Sequence, residues 1–331
     1  MAAAPCRLTA YRESKMQVGF VGLGAVGAKL AGTLARNGVD LTVFDLDPAR
    51  IDLLVAKGAK AGTSPAQVMR DCDVVITSLP SPAASQAVLD QLLPEIRPGK
   101  IWLEMSTTDA EAIRVQAKAV QDRGGQAADT PVSGGCHRAA TGNISIFAGC
   151  DRATFETVLP LLTFMGRRVL HTGEVGSASV LKVMTNYLAT IHLASLCEAM
   201  TTMAAHGIDL GTTYEAIKAS SGTSFVHETE SQLILSGNRN VDFTLDLVLK
   251  DIGLFQSLAD AKDVPLELSP LLIDIVKDGQ ARYGDRAQSD RLIERLEEAT
   301  GLSITAPGFP TELIDDEPEE RGSEIGRAVS P

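Results

Sequence analysis

Cysteine is scarce and unpatterned in this sequence. Cys6, Cys72, Cys136, Cys150 and Cys197 are odd in number, and no CxxC occurs. That excludes a disulfide framework and a structural zinc site, and it reads as a reduced, intracellular chain, placed in the cytoplasm. Basic runs are missing too. With 30 Lys and Arg against 42 Asp and Glu the net charge is −12, and nothing tracks a phosphate backbone, so nucleic acid is not an expected partner. Apolar runs are strand-length or broken by polar residues, so no membrane span is expected. The five histidines show no metal-ligand spacing, so no metal is expected, and no Ser/His/Asp set can be assembled. No internal repeat or low-complexity tract is present. Residues 1–15 lack an apolar h-region, which excludes a secretory signal; they are expected to be a disordered extension, native or upstream of a natural start at Met16, with a short transit peptide as the alternative.

What is present is a chain of 331 residues, 44% hydrophobic, enough for more than one domain. Gln17 to Val21 is a β-prone run that leads into Gly22-Leu23-Gly24-Ala25-Val26-Gly27. A helical pattern follows and stops at Asn37-Gly38; a second strand, Leu41 to Phe44, ends at Asp45, 23 residues after Gly22. In such a strand–turn–helix unit Gly22 permits the tight turn, Gly24 admits a pyrophosphate and Gly27 lets helix and strand pack. The helix N-terminus offers its amides and dipole to the phosphates. Asp45 is expected to accept hydrogen bonds from the adenosine ribose and to repel a 2′-phosphate. That favours NAD, with NADP possible because Arg50 lies close by. Runs at 73–80, 101–107, 125–129, 143–149 and 168–171 extend the pattern. Residues 16–175 therefore read as one doubly wound NAD-binding Rossmann domain. Ser133-Gly134-Gly135 offers a hydroxyl and exposed amides, a turn able to hold a carboxylate or an ordinary glycine loop.

From Ser177 the β signal fades. The segment from Ser179 to Ala205 has no proline and, as a helix, would run ~40 Å, long enough to cross a domain junction. Lys182 and Asn186 lie four residues apart on its otherwise apolar face; a lysine there is paired, snorkelling or functional. Further helical patterns are 211–220, 227–236, 244–262, 269–283 and 288–298. Residues 176–300 read as an all-α domain, apolar enough to bury against a partner chain. Residues 301–331 are expected to be an acidic disordered tail. His137 and His227 sit beside polar, glycine-containing loops; with Arg138 they either read a second polar group of a ligand or face solvent. By itself, Lys250 reads as a solvated lysine.

In this order and spacing the chain resembles the β-hydroxyacid dehydrogenases, the family that includes 3-hydroxyisobutyrate dehydrogenase and tartronate semialdehyde reductase. The carriers are Gly19-Phe20-Val21-Gly22-Leu23-Gly24-Ala25-Val26-Gly27, Asp129-Thr130-Pro131-Val132-Ser133-Gly134-Gly135, Gly173-Glu174-Val175-Gly176 leading to Lys182 and Asn186, and Lys250-Asp251. The resemblance implies a Rossmann-type sheet joined by a long interdomain helix to an all-α domain that shares in the substrate cleft and in oligomerisation. It implies Lys182 as catalytic lysine and Asn186 as its support. Gly22, Leu23, Gly24, Ala25, Val26, Gly27, Asp45, Leu79, Pro80, Thr107 and Lys250 then fall at the cofactor. Ser133, Gly134, Gly135, Phe243 and Asp251 fall at the substrate.

The implied activity is reversible hydride transfer between a nicotinamide and a small 3-hydroxy acid, in a homodimer or homotetramer joined through the helical domain. Lys182 would act as general acid/base, its amine brought down from a reference near ~10.4 by burial and neighbouring positive charge. The sequence departs from the family pattern at Thr185, Ala178 and Glu104, and at Cys136-His137-Arg138 and Ser220 to His227; these last two segments flank the implied substrate site and bear on the identity of the substrate, not on the chemistry. Imine reductases resemble it less, typically lacking a lysine at the Lys182 position, and 6-phosphogluconate dehydrogenases have a longer helical region. A non-catalytic, dehydrogenase-like binding module would have no need of Lys182 and Asn186.

Overall fold

The computed structural model describes residues 16–326, so the expectation for residues 1–15 falls outside them. Two compact units divide the described chain: residues 16–182 with 315–326, and residues 183–314. The division lies a few residues beyond the boundary expected at 175.

The first unit is built on a parallel sheet. Its strands are β1 (Val18–Val21), β2 (Leu41–Phe44), β3 (Lys60–Ala61), β4 (Val74–Thr77), β5 (Ile101–Glu104) and β6 (Gln126–Asp129), joined by α1 (Gly27–Arg36), α2 (Pro48–Val55), α3 (Pro65–Asp71), α4 (Pro82–Leu92) and α5 (Ala110–Gln121). In space the order is β3-β2-β1-β4-β5-β6, all parallel. The order reverses between β1 and β4, where open α/β sheets place their ligand crevice. Beyond β6 the sheet continues through β8 (Ile144–Gly149) and β9 (Gly166–Gly173), with β7 (Val132–Ser133) paired to β8, α6 (Gly135–Thr141) between β7 and β8, and α7 (Arg152–Met165) between β8 and β9. Strand β8 runs antiparallel to β6 and β7 and parallel to β9.

Strand periodicity explains the two layers. Val18, Phe20, Val74, Ile76, Ile101 and Leu103 point to one face, where they pack with Leu30 and Leu34 of α1 and Phe155 and Leu162 of α7. Val75, Trp102 and Ala127 point to the other, against Met69 of α3, Leu89 of α4 and Ile113 of α5. Alternation with both faces covered is what a doubly wound sheet requires. After the positive-φ residues Gly173 and Gly176, α8 (Ser177–Ala205) begins. By length and composition α8 is apolar enough to cross a membrane, against the sequence expectation, with 33% of that stretch buried; core helices of soluble proteins meet the same measure.

The second unit contains the rest of α8 with α9 (Leu210–Lys218), α10 (Phe225–Ser236), α11 (Leu245–Asp260), α12 (Leu268–Tyr283) and α13 (Glu294–Thr300). They close around Met200, Tyr214, Ile234, Val248, Val276 and Ile293. The helix expected over 288–298 is split: a 3-10 turn, Ser289–Ile293, precedes α13.

The disordered tail expected over 301–331 is corrected by the structure as far as residue 326. Strand β10 (Ser323–Ile325) adds in parallel to β9. Arg36 holds Glu319, Arg138 and Arg168 hold Glu317, Arg167 holds Glu320 and Arg152 holds Glu324. Composition alone predicts disorder for this acidic run, but five arginines of the first unit supply its counter-charge.

Candidate active site

The glycine turn stands at the switch point. Gly22 has φ +95, and a Cβ there would lie 2.3 Å from the Ser78 carbonyl oxygen; at Gly27 it would lie 2.1 Å from the Gly22 oxygen. Both positions are closed by the protein's own backbone. At Gly24 the nearest atom to such a Cβ is an Arg50 guanidinium nitrogen at 3.8 Å, so that glycine faces open space. Helix α1 starts there with no side-chain cap and no acidic residue in its first turn, whereas α2 to α5 are capped by Asp47, Ser64, Ser81 and Asp109. Free amides and an uncompensated dipole suit a pyrophosphate. Asp45 closes the turn: its Oδ2 accepts from the Leu23 amide at 2.6 Å and its Oδ1 from the Asp47 amide at 2.9 Å. Arg50 lies 4.0 Å from Asp45, beside the same turn.

The ends of β4 and β5 carry the next two segments. Leu79 lies against Gly22 and its amide donates to Ser106 Oγ at 2.7 Å. Pro80 is exposed and Thr107 half-buried. Under both loops sits Glu104, completely buried. It accepts from the Ser106 amide at 2.8 Å, from Thr77 Oγ1 at 3.0 Å and from Ser85 Oγ. Burial pushes its carboxyl up, and those donors oppose the shift.

At the end of β6, Asp129 opens the segment to Gly135. Ser133 is half-buried in register with Ser145 of β8. Gly134 and Gly135 have φ of 130 and 83, a pair of conformations that only glycine adopts without strain. Lys182, on the second turn of α8, is 7% exposed.

In the second unit, Asn186 Nδ2 donates to Asp251 Oδ2 at 2.5 Å, and Lys250 Nζ lies 2.7 Å from Asp251 Oδ1. Asp251 is buried, so one carboxylate holds both the amide and the ammonium. Spacing alone gave no link between Asn186 and residues 65 positions later. Phe243 leans on the helical core, its amide fixed to Gln288 Oε1 at 3.0 Å.

Two of the polar-group readers considered from sequence have other work. His227 is 1% exposed. Its Nε2 lies 3.0 Å from the Tyr214 carbonyl and its Nδ1 2.9 Å from Ser231 Oγ. Nε2 must therefore carry the proton. Burial lowers its pKa, so Nδ1 accepts from Ser231. Arg138 turns to the tail, 3.0 Å from Glu317. His137 is half-buried beside Gly135, its pKa lowered by burial. Among the described residues no group of His, Cys, Asp and Glu is arranged to hold a metal ion.

A dinucleotide turn at the switch point of a doubly wound sheet, followed by a helical unit, defines an NAD(P)-dependent oxidoreductase fold. Comparison with known proteins agrees. Residues 17–173 match the NAD binding domain of 6-phosphogluconate dehydrogenase, and residues 176–296 match a family described as NAD-binding of NADP-dependent 3-hydroxyisobutyrate dehydrogenase. The chain is 31% identical over 297 residues, 88% of its length and 99% of the relative's, to 2-(hydroxymethyl)glutarate dehydrogenase of Eubacterium barkeri. It is 33% identical over 271 residues, 79% of its length and 91% of the relative's, to the NAD-dependent L-serine dehydrogenase of Pseudomonas aeruginosa. A solved 3-hydroxyisobutyrate dehydrogenase from Salmonella typhimurium superposes with a TM-score of 0.78 at 26% identity, covering 85% of this chain and 99% of that one. The chain belongs to the β-hydroxyacid dehydrogenase family and is an NAD(P)-dependent oxidoreductase.

Proposed function

We propose that the protein interconverts a small 3-hydroxy acid and its semialdehyde, with Lys182 as general acid/base and NAD as the preferred cofactor. The observation that carries this is a lysine buried on the second turn of α8, in the unit that also holds the dinucleotide turn. The compounds in the three relatives' names share a carboxylate and a hydroxyl on the carbon β to it. Ser133, Gly134 and Gly135 would hold that carboxylate through the hydroxyl and the amides their positive φ angles expose. Lys182 would take the hydroxyl proton during oxidation and return it during reduction. Asn186, itself anchored by Asp251, would orient the lysine or the substrate oxygen, and Lys250 and Phe243 would border the same chemistry. Bound NAD would supply the hydride acceptor or donor, with Gly22 to Gly27 cradling its pyrophosphate, Leu79 and Pro80 touching the cofactor and Thr107 lying near its nicotinamide.

NAD preference is supported by Asp45 at the tip of β2, whose charge disfavours a 2′-phosphate. In Asp45→Ala the ratio of kcat/KM for NADP over NAD should rise, with Arg50 left to meet the phosphate. The helical unit is taken as the oligomerisation surface and the protein as a soluble cytoplasmic enzyme. The decisive experiment is a panel of 3-hydroxy acids followed by NADH absorbance, repeated with Lys182→Ala. Lys182→Ala should still bind NADH and lose turnover by a factor of 100 or more, on the order of what general acid–base groups contribute. A variant that turns over at the wild-type rate rules out the lysine.

A further inference from the structure

Lys182 does not choose its own position; the helix that carries it is seated on a carboxylate from another element. Asp129, at the end of β6, is fully buried. Its Oδ1 accepts from the Gly176 amide at 2.8 Å, and its Oδ2 from the Ser179 amide at 2.7 Å and Ser179 Oγ at 2.9 Å. These amides belong to the opening turn of α8, one turn before Lys182. The side-chain cap comes from 47 positions upstream of Gly176.

We propose that Asp129 is a positioning residue for Lys182, which fixes the rotation of the first turn of α8, offsets the positive end of that helix and so sets the basicity of the lysine. The proposal rests on the reading of Lys182 as acid/base. Two features of the fold support it. First, room for the carboxylate is built in: a Cβ at Gly149 of β8 would stand 2.3 Å from Asp129 Oδ1, so a glycine is required opposite it. Second, Asp129 opens the segment that ends in Ser133-Gly134-Gly135. One residue therefore ties the carboxylate-anchoring turn to the helix of the base, which is how two groups from distant parts of a chain keep a reactive geometry.

The charge argument has a definite sign. A lysine in the first turns of a helix feels the positive end of the dipole, which favours its neutral form. An anion at that end does the opposite and keeps the ammonium. Burial pushes the Asp129 carboxyl up, while the Gly176 and Ser179 donors hold the carboxylate form. The other charged groups around this turn are few. Glu174 precedes it, the Arg114 guanidinium of α5 lies over Gly176, and Asp151 and Arg152 flank Cys150. The Cys150 thiol is kept neutral by burial, pushed up to about 12. Of these, Glu174 meets the helix through its neutral backbone carbonyl, which accepts from the Ser177 amide at 3.0 Å.

The test compares wild type, Asp129→Asn, Ser179→Ala and Lys182→Ala in the full chain. Three quantities are followed: NADH affinity, the pH dependence of kcat/KM for oxidation, and the rate at which acetic anhydride acetylates Lys182 as a function of pH, read by peptide mass spectrometry. Asp129→Asn should bind NADH like wild type and lose kcat about tenfold or more. Its acid limb and the acetylation midpoint of Lys182 should both move down by about half to one pH unit, the size of a helix-end charge term. Ser179→Ala, which keeps the carboxylate and both amides but removes the hydroxyl donor that helps hold its charge, should move both in the same direction by less. If Asp129→Asn unfolds at the assay temperature, Ser179→Ala decides the matter by itself. An unmoved or upward midpoint overturns the inference. Turnover in Lys182→Ala would sink the acid/base reading instead, and the acetylation midpoint would still judge Asp129.

Discussion

Glu104 and Ser106 are joined twice, by the Ser106 amide to Glu104 Oε1 at 2.8 Å and by the serine hydroxyl, which opposes the rise of the buried carboxyl. Because Leu79 donates to the same hydroxyl oxygen at 2.7 Å, one carboxylate fixes both loops assigned to the cofactor. Glu104→Gln keeps the volume but puts an amide among donors. It should raise the KM for NAD about threefold to tenfold while leaving the KM for the hydroxy acid near wild type, and lower stability by about 1–3 kcal/mol. Trp102 is the chain's one tryptophan, and its indole donates to Thr77 Oγ1 at 3.0 Å. Its emission should therefore shift in Glu104→Gln even without cofactor. An unchanged spectrum and an unchanged KM for NAD would dismiss the network.

The tail offers a separate test, because its residues lie beyond those matched by the family, which end at 296. Arg152 holds Glu324 with both terminal guanidinium nitrogens, Nη1 at 2.5 Å and Nη2 at 2.9 Å, and the Glu324 side chain is only 10% exposed. The other pairs are more open and individually weak. Ending the chain after Ile314 should lower Tm by about 2–6 °C, with Glu324→Gln accounting for much of the loss. Asp315 gives the acid dependence. Burial works against its charge, but Thr141, Asn143 and the Glu317 amide outweigh burial and hold its pKa below the usual carboxylate range. A depressed carboxylate contributes stability above its unfolded pKa and loses it as pH falls through the folded value. The gap in Tm between full and shortened chains should therefore close on the acid side of about pH 4.

The pattern of strands and glycines made the first unit readable from sequence, because a buried parallel sheet imposes runs and turns that nothing else imitates. The dinucleotide turn, Asp45 and the helix carrying Lys182 follow from such local rules. What was hidden is what long-range pairing decides. Asp129 reaching Gly176, Asn186 reaching Asp251, and five arginines reaching the tail leave no trace in local spacing. His227 looked like a candidate ligand reader because a histidine near a polar loop has that look; its Tyr214 and Ser231 partners make it a core residue. The acidic run from Asp315 onward is a case of the same kind, since composition reports an acidic segment poor in apolar residues and not the arginines beside it.

Two buried carboxyls in the helical unit predict an alkaline weakness. Burial pushes Glu230 of α10 up to about 8, helped by Asp290. Burial also pushes Asp290, 0% exposed, up to about 7, against the Val241 amide and the charge of Arg239. Glu230 as a residue is only half-buried, but its Oε2 is enclosed and has no hydrogen-bond partner, so the carboxyl itself carries the penalty. An acid whose folded pKa is raised contributes fully below its unfolded value, near ~4, and that contribution is lost as pH rises through the folded value. Stability of the helical unit should fall between about pH 4 and pH 8. Glu230→Gln should melt higher than wild type at pH 8.5 by about 3 °C or more and show no advantage near pH 4. A constant difference at both pH values would remove proton linkage as the cause.

The glycine turn separates folding from cofactor binding at single-atom resolution. A Cβ at Gly27 would sit 2.1 Å from the Gly22 carbonyl oxygen, and backbone cannot move aside as a side-chain tip can. Gly27→Ala should therefore lose several degrees of Tm, together with NADH binding. At Gly24 the same added atom meets only the tip of Arg50, at 3.8 Å, so Gly24→Ala should fold with a Tm within about 1 °C of wild type. The space that atom enters is the one a pyrophosphate needs against the free amides of α1. NADH affinity in Gly24→Ala should then drop tenfold or more, measured by quenching of Trp102 or by calorimetry. If Gly24→Ala binds NADH as tightly as wild type, the phosphates do not lie against this turn, and the assignment of Gly22 to Gly27 as their cradle is wrong.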